Sequence, residues 1–558
     1  MRIPVLACSL VAVGALSATS ALSALDAATY YVSPDGSDAN DGTTTETAFL
    51  TPHAAMAKAR AGDAVVLRAG HYALTNSVSC RAGVELRGET GNPRDVVLDA
   101  GGQFAVISPV DGGGTVASLT VSNGYAYANS VTGAGIHTGR MVDFSDAKKV
   151  ISNCVITCCT YAKDPVKGEG NSGAALVLDA NSRAIDCLIS SCTNSSDVTS
   201  GGGGGVILRN GGQLINSTVE RCVTKKYGGG IFGSIESLCA TSMVVRGCIV
   251  RENVAGTAGG GIANVPTIRD CRVEGNAAAS AGGVFYSSVS FGKYSADLFQ
   301  ASLANTEIVG NRATAESATE KIGFGGGVAW NMYAGVTNFV VDSCVFASNT
   351  ISTANAQCGG GGLYLRLNGI GTNVVVRNSL FVGNENLNAE GTAYGAAAYV
   401  SEGVSGLTGA VAVENCTFVR NRNRTKSTWA LYVGANTAET NCVVALNLNA
   451  EGADVVGLGG NGNWQGNWGY SCFYPKLGYS FPETVFNGTA PKFRKGTWVP
   501  SAQSPLRDAG LTLGWMADAH DLQRGADGQA LCARVVGAAV DIGCFEYAPL
   551  GGLLFLIR

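Results

Sequence analysis

The segments CGGGGLYL at 358–365 and RNSLFVGN at 377–384 decide how this chain folds. They combine a Gly-Gly-x-aliphatic bend with a unit of small residue, any residue, large apolar residue and, three positions on, Asn. The same pair occurs upstream as GFGGGVAW (323–330) with DSCVFASN (342–349), and the second half recurs as ENCTFVRN (414–421). Further copies end at Asn253, Asn276, Asn311 and Asn447, while three earlier ones carry Cys159, Cys192 and Cys222 where the others have Asn. The spacing between copies ranges from 23 to 38 residues. A fixed core with variable insertions is the pattern of solenoid coils and not of duplicated globular domains.

Side-chain alternation gives the geometry. Three residues before the Asn position stand Ile156, Ile189, Val219, Val250, Val273, Ile308, Phe346, Phe381, Phe418 and Val444, all large and apolar. Five before stand Cys, Ser or Thr, from Cys154 to Cys442. A spacing of two places both on one face of a strand, which must be the interior. Coils then stack in parallel about 4.8 Å apart, so that Asn253, Asn276, Asn311, Asn349, Asn384, Asn421 and Asn447 form a structural ladder. A turn Asn is expected to hydrogen-bond along such a ladder and to accept a left-handed backbone.

Composition agrees. The 558 residues include 77 Gly but only 14 % charged residues, against the usual ~7 % and ~25 %. With 13 Pro and no three-residue period the glycine is not collagenous, and 46 % hydrophobic residues exclude disorder. A net charge of -4 excludes the basic footprint of a nucleic-acid binder. The expected fold is an all-β solenoid of twelve to fourteen stacked parallel coils, with an N-terminal cap and a C-terminal cap or side-packing segment.

The motif pair resembles the Gly-Gly-Ala-Ile and Phe-x-x-Asn repeats of the chlamydial polymorphic outer-membrane proteins over residues 130–450, without the transmembrane barrel that ends those proteins, and the fold this resemblance implies is a right-handed parallel β-helix. YYVSPDGSDANDGTTTETAF and AGDAVVLRAGHY resemble the opening of secreted β-helix proteins related to pectate lyases. APKF, SPLRDAG and VDIGCFEY, over 488–547, resemble the choice-of-anchor Q module of exported bacterial proteins. These resemblances imply an exported protein. Residues 1–28 read as a Sec signal, with Arg2, an apolar run from Ile3 to Leu16 and small residues up to Ala28. The remaining divisions are 29–129 for the cap and first coils, 130–450 for the repeats, 451–547 for an aromatic-rich C-terminal module and 548–558 for a short apolar tail. No segment of the mature chain reaches the ~18 apolar residues of a membrane span.

The candidate sites follow from the ladder. The outward column two residues before the Asn position brings Glu220, Arg251 and Glu274 onto successive rungs, with the two carboxylates about 9.6 Å apart between backbones, near the upper end of the ~6.5–9.5 Å separation in inverting glycosidases. An exposed ion-pair column is the simpler reading of the same three residues. Arg420, Arg422, Arg424 and Lys426 follow a strand as a basic loop suited to an anionic glycan. From Val309 onward the outward positions turn apolar, which predicts a cover supplied by the segment 455–547. The stacked cysteines read as small buried thiols interchangeable with Ser and Thr, with disulfides between neighbouring rungs, such as Cys154–Cys187 and Cys248–Cys271, as the alternative. Four scattered His and no Cys-x-x-Cys pair argue against a metal. The exception is the run Asp35, Asp38, Asn40 and Asp41, which is either a calcium loop or a set of turns.

No complete catalytic series of the polygalacturonase type is present. The expected function is an exported, cell-surface or secreted binding protein, adhesin-like, contacting a polysaccharide or a host or cell-surface glycan. The alternative is a lyase or glycoside hydrolase acting on acidic polysaccharide.

Overall fold

The computed structural model describes residues 27–547 apart from 128–132, 140–147, 164–173, 197–200, 235–241, 288–298, 315–323, 333–335, 353–356, 368–372, 389–391, 403–410, 425–428, 435–436, 449–457, 461–467, 475, 478–479, 518 and 524–532. The signal expected at 1–28, save its last two residues, and the tail 548–558 lie outside the described residues.

Each coil is four-sided. In one of them the strands are Lys149–Ser152, Val155–Thr157, Thr160–Ala162 and Ala174–Leu178, and the next begins with Ser182–Ile185 directly over Lys149–Ser152. Repetition builds four parallel sheets, which in coil order hold 15, 15, 10 and 13 strands. The protein is a right-handed parallel β-helix, with one short α-helix, Pro52–Lys58, at its start. The expected large apolar column lies on the inner face of the second sheet. Ile156 through Phe473 are buried there, and Phe346, Phe381 and Phe418 stack with ring centroids 4.5 and 4.7 Å apart.

Sharp bends between strands this short leave inward backbone groups to be satisfied, because a buried orphan amide costs about 1–3 kcal/mol. Two side-chain columns do this. Where the first strand turns into the second, Cys248 Sγ reaches the carbonyl of Arg246 at 3.2 Å, and Ser217 Oγ reaches that of Ile215 at 2.7 Å. Each of these atoms also accepts from the backbone of the coil before it, as in Ser217 N to Cys248 Sγ and Cys187 N to Ser217 Oγ. Thiol and hydroxyl therefore perform one task. All 15 cysteines among the described residues are free thiols, and burial pushes Cys344 up to about 12.

Where the second strand turns into the third, the Asn ladder runs unbroken. Asn349 Oδ1 accepts from both the backbone N–H and Nδ2 of Asn311, at 3.0 Å each. Its own Nδ2 donates to the carbonyl of Ile308 at 2.8 Å and to Asn384 Oδ1 at 2.9 Å. The left-handed residue, however, is not the ladder Asn but the one before it: Glu252, Gly275, Gly310, Ser348, Gly383, Arg420 and Leu446 all have φ between 54° and 63°. The ladder Asn points inward and keeps an ordinary backbone. The glycine column sits beside it. A Cβ on Gly327 would lie 2.6 Å from the carbonyl of Gly362 and 3.0 Å from Cγ of Asn349, so the two halves of the repeat are needed at the same place.

On the outer face of the second sheet, Val345, Ala347, Leu380, Val419, Val443, Ala445 and Cys472 pack against Val499, Leu506, Leu522, Ile542, Cys544 and Phe545. The C-terminal segment thus covers the apolar half of this sheet. It is fastened by Asn441, whose Nδ2 donates to the carbonyl of Leu511 and whose Oδ1 accepts from its N–H, and by Trp515 Nε1 on Glu414 at 2.7 Å. At its centre Arg534 pairs with Glu546 at 2.8 Å, with the Asp521 and Asp541 carboxyls within reach of its charge, and all four residues are buried. Burial raises all three carboxyls, Glu546 to about 8 against the pull of Arg534, since full ionisation would leave excess negative charge away from water.

Asn349→Ala removes partners from Asn311 and from the carbonyl of Ile308, and is expected to cost roughly 2–4 kcal/mol in denaturant unfolding, whereas Cys248→Ser leaves the transition within about 1 kcal/mol. Carboxyls raised in the folded state bind more protons than in the unfolded chain, so stability falls as pH rises from the unfolded carboxyl range, about 4, through about 8. Thermal unfolding is expected at a lower temperature at pH 8.5 than at pH 5.5, and Glu546→Gln is expected to shrink that difference.

Candidate functional site

The other half of the same sheet face is polar. The outward column runs in register through Asp99, Ser122, Thr157, Ser190, Glu220, Arg251 and Glu274. Its six rung spacings of about 4.8 Å make a lane roughly 29 Å long. Beside it stand the half-buried Val155, Leu188 and Thr218 and the exposed Ile249. The lane ends where Val309 meets the covered apolar cluster.

Glu220, Arg251 and Glu274 occupy successive rungs as the register of the repeat requires. Glu220 is only 4 % exposed. Its Oε2 accepts from Arg251 Nε and Nη2 at 2.8 and 2.6 Å, and its Oε1 meets Arg221. Arg221 stands one residue past the column, at the left-handed bend with φ 53°, from where it reaches Glu220. Glu274 belongs to a second set, accepting from Arg272 Nε at 2.6 Å, and Arg272 also meets Glu307. The stacked residues thus divide into two ion-paired sets, and in the first the Glu220 carboxylate is occupied on both oxygens.

The basic residues separate. Arg420, at φ 54°, lays its guanidinium 5.1 Å from the ring centre of Trp498, within the covering segment. Arg422 and Arg424 lie around the third-sheet strand Arg422–Asn423, and Arg424 pairs with Glu385 at 3.4 Å. Lys426 lies outside the described residues. At the opening run, Asp38 accepts from the N–H groups of Leu50 and Thr51 at 3.0 and 2.8 Å, and Asp41 accepts from Thr43 N and Thr47 Oγ1. Those carboxylates are taken up by turns. Among the described residues no group of three or more His, Cys, Asp or Glu side chains is placed to hold a metal.

A cavity of 570 Å³ opens at the N-terminal end of the lane. Its walls include His71, Asp99, Gln103, Asn123, Tyr125 and Thr160. It lies where the third sheet begins: Tyr125–Tyr127 is the first strand of that sheet, and the coil below passes as a turn through Gly101 and Gly102 instead. Asp99 is its anchor. His71 Nε2 lies 3.2 Å from Oδ2, the Gly101 N–H donates to Oδ1 at 2.8 Å, and Asn123 Nδ2 reaches both oxygens at 3.0 Å. Burial opposes ionisation of Asp99, but these donors outweigh it and hold the carboxyl below its ordinary value. Sequence reasoning missed this cavity. Its one visible signal was the His of AGHY ahead of the Asp of VVLDAG, which carries no repeat signature.

No protein family model matches this chain, and no curated protein matches it. Solved structures do. The chain is similar to pectate lyase Pel9A at 15 % identity over 93 % of this chain and 96 % of that one, with a TM-score of 0.28. It is similar to XylC in complex with xylose at 10 % identity over 94 % and 99 %, with a TM-score of 0.34. A third similarity is to the Gp54 tailspike of Acinetobacter baumannii bacteriophage AP22 in complex with capsular saccharide, at 11 % identity over 76 % and 73 %, with a TM-score of 0.27.

Arg251→Met is expected to destabilise the coils by about 1–3 kcal/mol, because it leaves the largely buried Glu220 carboxylate with one cation fewer. Raising salt to 1 M is expected to narrow the gap to wild type in thermal unfolding.

Proposed function

We propose that the protein is an exported glycan-binding β-helix, adhesin-like, that holds an extended saccharide along the polar half of its second sheet. The observation that carries this reading is the division of one sheet face: the apolar half is covered by the chain's own C-terminal segment, while the polar half carries hydroxyls, carboxylates and guanidinium groups at regular rung spacing. A rigid row of hydrogen-bonding groups suits a polymer of repeated hydroxylated units, and it loses little conformational entropy on binding. Flanking apolar side chains such as Ile249 suit the apolar faces of sugar rings. Export is the reading that the leader-like residues 1–28 support, and the polymorphic outer-membrane protein and anchor-module resemblances point to a secreted or surface-held protein.

Binding is favoured over turnover by the state of Glu220. A general acid or base must reach the reacting proton within hydrogen-bond distance, and this carboxylate is shared between Arg221 and Arg251. Arg251 and Glu274 therefore serve the lane as polar contacts for the saccharide, and Glu220 holds Arg251 in place.

The test is retention of the mature chain on a panel of immobilised polysaccharides, with wild type compared with Ser190→Trp, which blocks the lane midway, and Gln213→Trp on the outer face of the first sheet. Loss of at least tenfold in affinity for Ser190→Trp alone is expected, with no new reducing ends released. Equal binding by both variants, or no binding by wild type, overturns the proposal.

A further inference from the structure

The cavity at the head of the lane differs from the rest of it in charge. Among its described lining residues Asp99 and His71 are the pair able to carry opposite charges, and no Lys or Arg is among them. Asp99 has already committed both oxygens to His71, Asn123 and Gly101, so the pair offers no surplus positive charge to an anion. What remains open is neutral. The Gln103 amide, the Thr160 and Tyr125 hydroxyls and Asn123 Oδ1 line the walls, and none takes a hydrogen-bond partner among the described residues. Asn123 is held with that oxygen free by its bonds to Asp99. The Tyr125 ring, with the exposed Tyr127 ring 6.4 Å from it between centroids, adds an aromatic surface beside the neutral polar groups. A volume of 570 Å³ falls within the range of about 300–1,000 Å³ typical of small-ligand sites.

From this juxtaposition we infer that the cavity is a selective subsite for an uncharged sugar, seating one end of a neutral glycan whose remainder lies along the lane. This inference rests on the glycan-binding reading above and narrows it. Neutral amide and hydroxyl groups recognise hydroxyl or N-acetyl substituents by hydrogen bonds, and the aromatic ring recognises a sugar's apolar face. A uronate or sulfate in the same place would face the Asp99 carboxylate with no free cation to offset it. The site exists because the third sheet starts two coils after the second and fourth, which leaves a hollow under its first strand.

The experiment measures binding of the mature chain to two sets of soluble oligosaccharides: neutral ones from galactan, mannan and xylan, and acidic ones from polygalacturonate, alginate and hyaluronan. Wild type is compared with Ala73→Trp, which fills the cavity, and with the smaller changes Tyr125→Ala and Gln103→Ala. Thermal unfolding shows whether each variant is folded. Expected are a preference of at least tenfold for a neutral oligosaccharide, its loss by at least tenfold in Ala73→Trp, and a threefold to tenfold loss in Tyr125→Ala and Gln103→Ala. Should Ala73→Trp fail to fold, the two truncations decide the matter alone. Preferential binding of an acidic oligosaccharide that is weakened by Ser190→Trp but untouched by the cavity variants overturns the subsite and leaves the glycan-binding reading standing. Neutral binding unchanged in every cavity variant also overturns it. Failure of both sets to bind wild type overturns both readings.

Discussion

The structure depends on one interlock, repeated on the rungs from Asn253 to Asn384: an Asn amide lying inside the bend between the second and third strands, against a glycine that leaves room for it. Asn349 shows the constraint in full. Its oxygen takes two donors from the coil below, and its nitrogen reaches one carbonyl below and one Asn above. Nothing larger than hydrogen fits at Gly327 without meeting the Gly362 carbonyl or that amide. A slip of one residue between coils would break these bonds and turn the large apolar column outward as well. Register is therefore fixed at the bend, where amides meet, and the buried phenylalanines and valines supply the bulk of the favourable burial around it.

The same logic explains why insertions are tolerated. The spacing between ladder positions varies from 23 residues between Asn253 and Asn276 to 38 between Asn311 and Asn349, yet the pairing of Val250 with Val273 and of Ile308 with Phe346 is in register in both cases. Extra residues leave between the third and fourth strands or before the first, away from both side-chain columns. The short third strands, two residues in Thr193–Asn194 and Arg312–Ala313, hold register largely through the neighbouring ladder.

What was legible in the sequence was whatever repeats. The inward columns could be read from residues two apart, and the apolar outward column from Val345 to Ala445 announced a cover before the cover was seen. Three features escaped for physical reasons. The left-handed bend residue precedes the ladder Asn, and it is Gly only part of the time, so Glu252, Ser348 and Leu446 gave no composition signal. Arg221 and Arg420 stand one residue past the outward column, at that same bend, and reach Glu220 and Trp498 respectively. The cavity arises from a missing strand, and His71 and Asp99 meet across 28 residues with no motif to link them.

The two fates of the second sheet's outer face then have a common origin. Once register is fixed, a residue choice made at one outward position is stacked on the choices made in the coils before and after, so chemistry on this surface changes in blocks. A block of Val, Ala and Leu cannot be left in water as one stripe, and the C-terminal segment closes over it with its own buried charge cluster. A block of Ser, Thr, Glu and Arg needs no apolar cover, since its members bond to one another, as Ser190 does with Thr157 and Arg251 with Glu220. Specificity for a ligand cannot come from the interior, where every coil repeats the same contacts. It must come from the places where repetition fails, and the late start of the third sheet, with Asp99 holding His71 and Asn123 at its edge, is a place where that failure leaves a hollow with oriented polar walls.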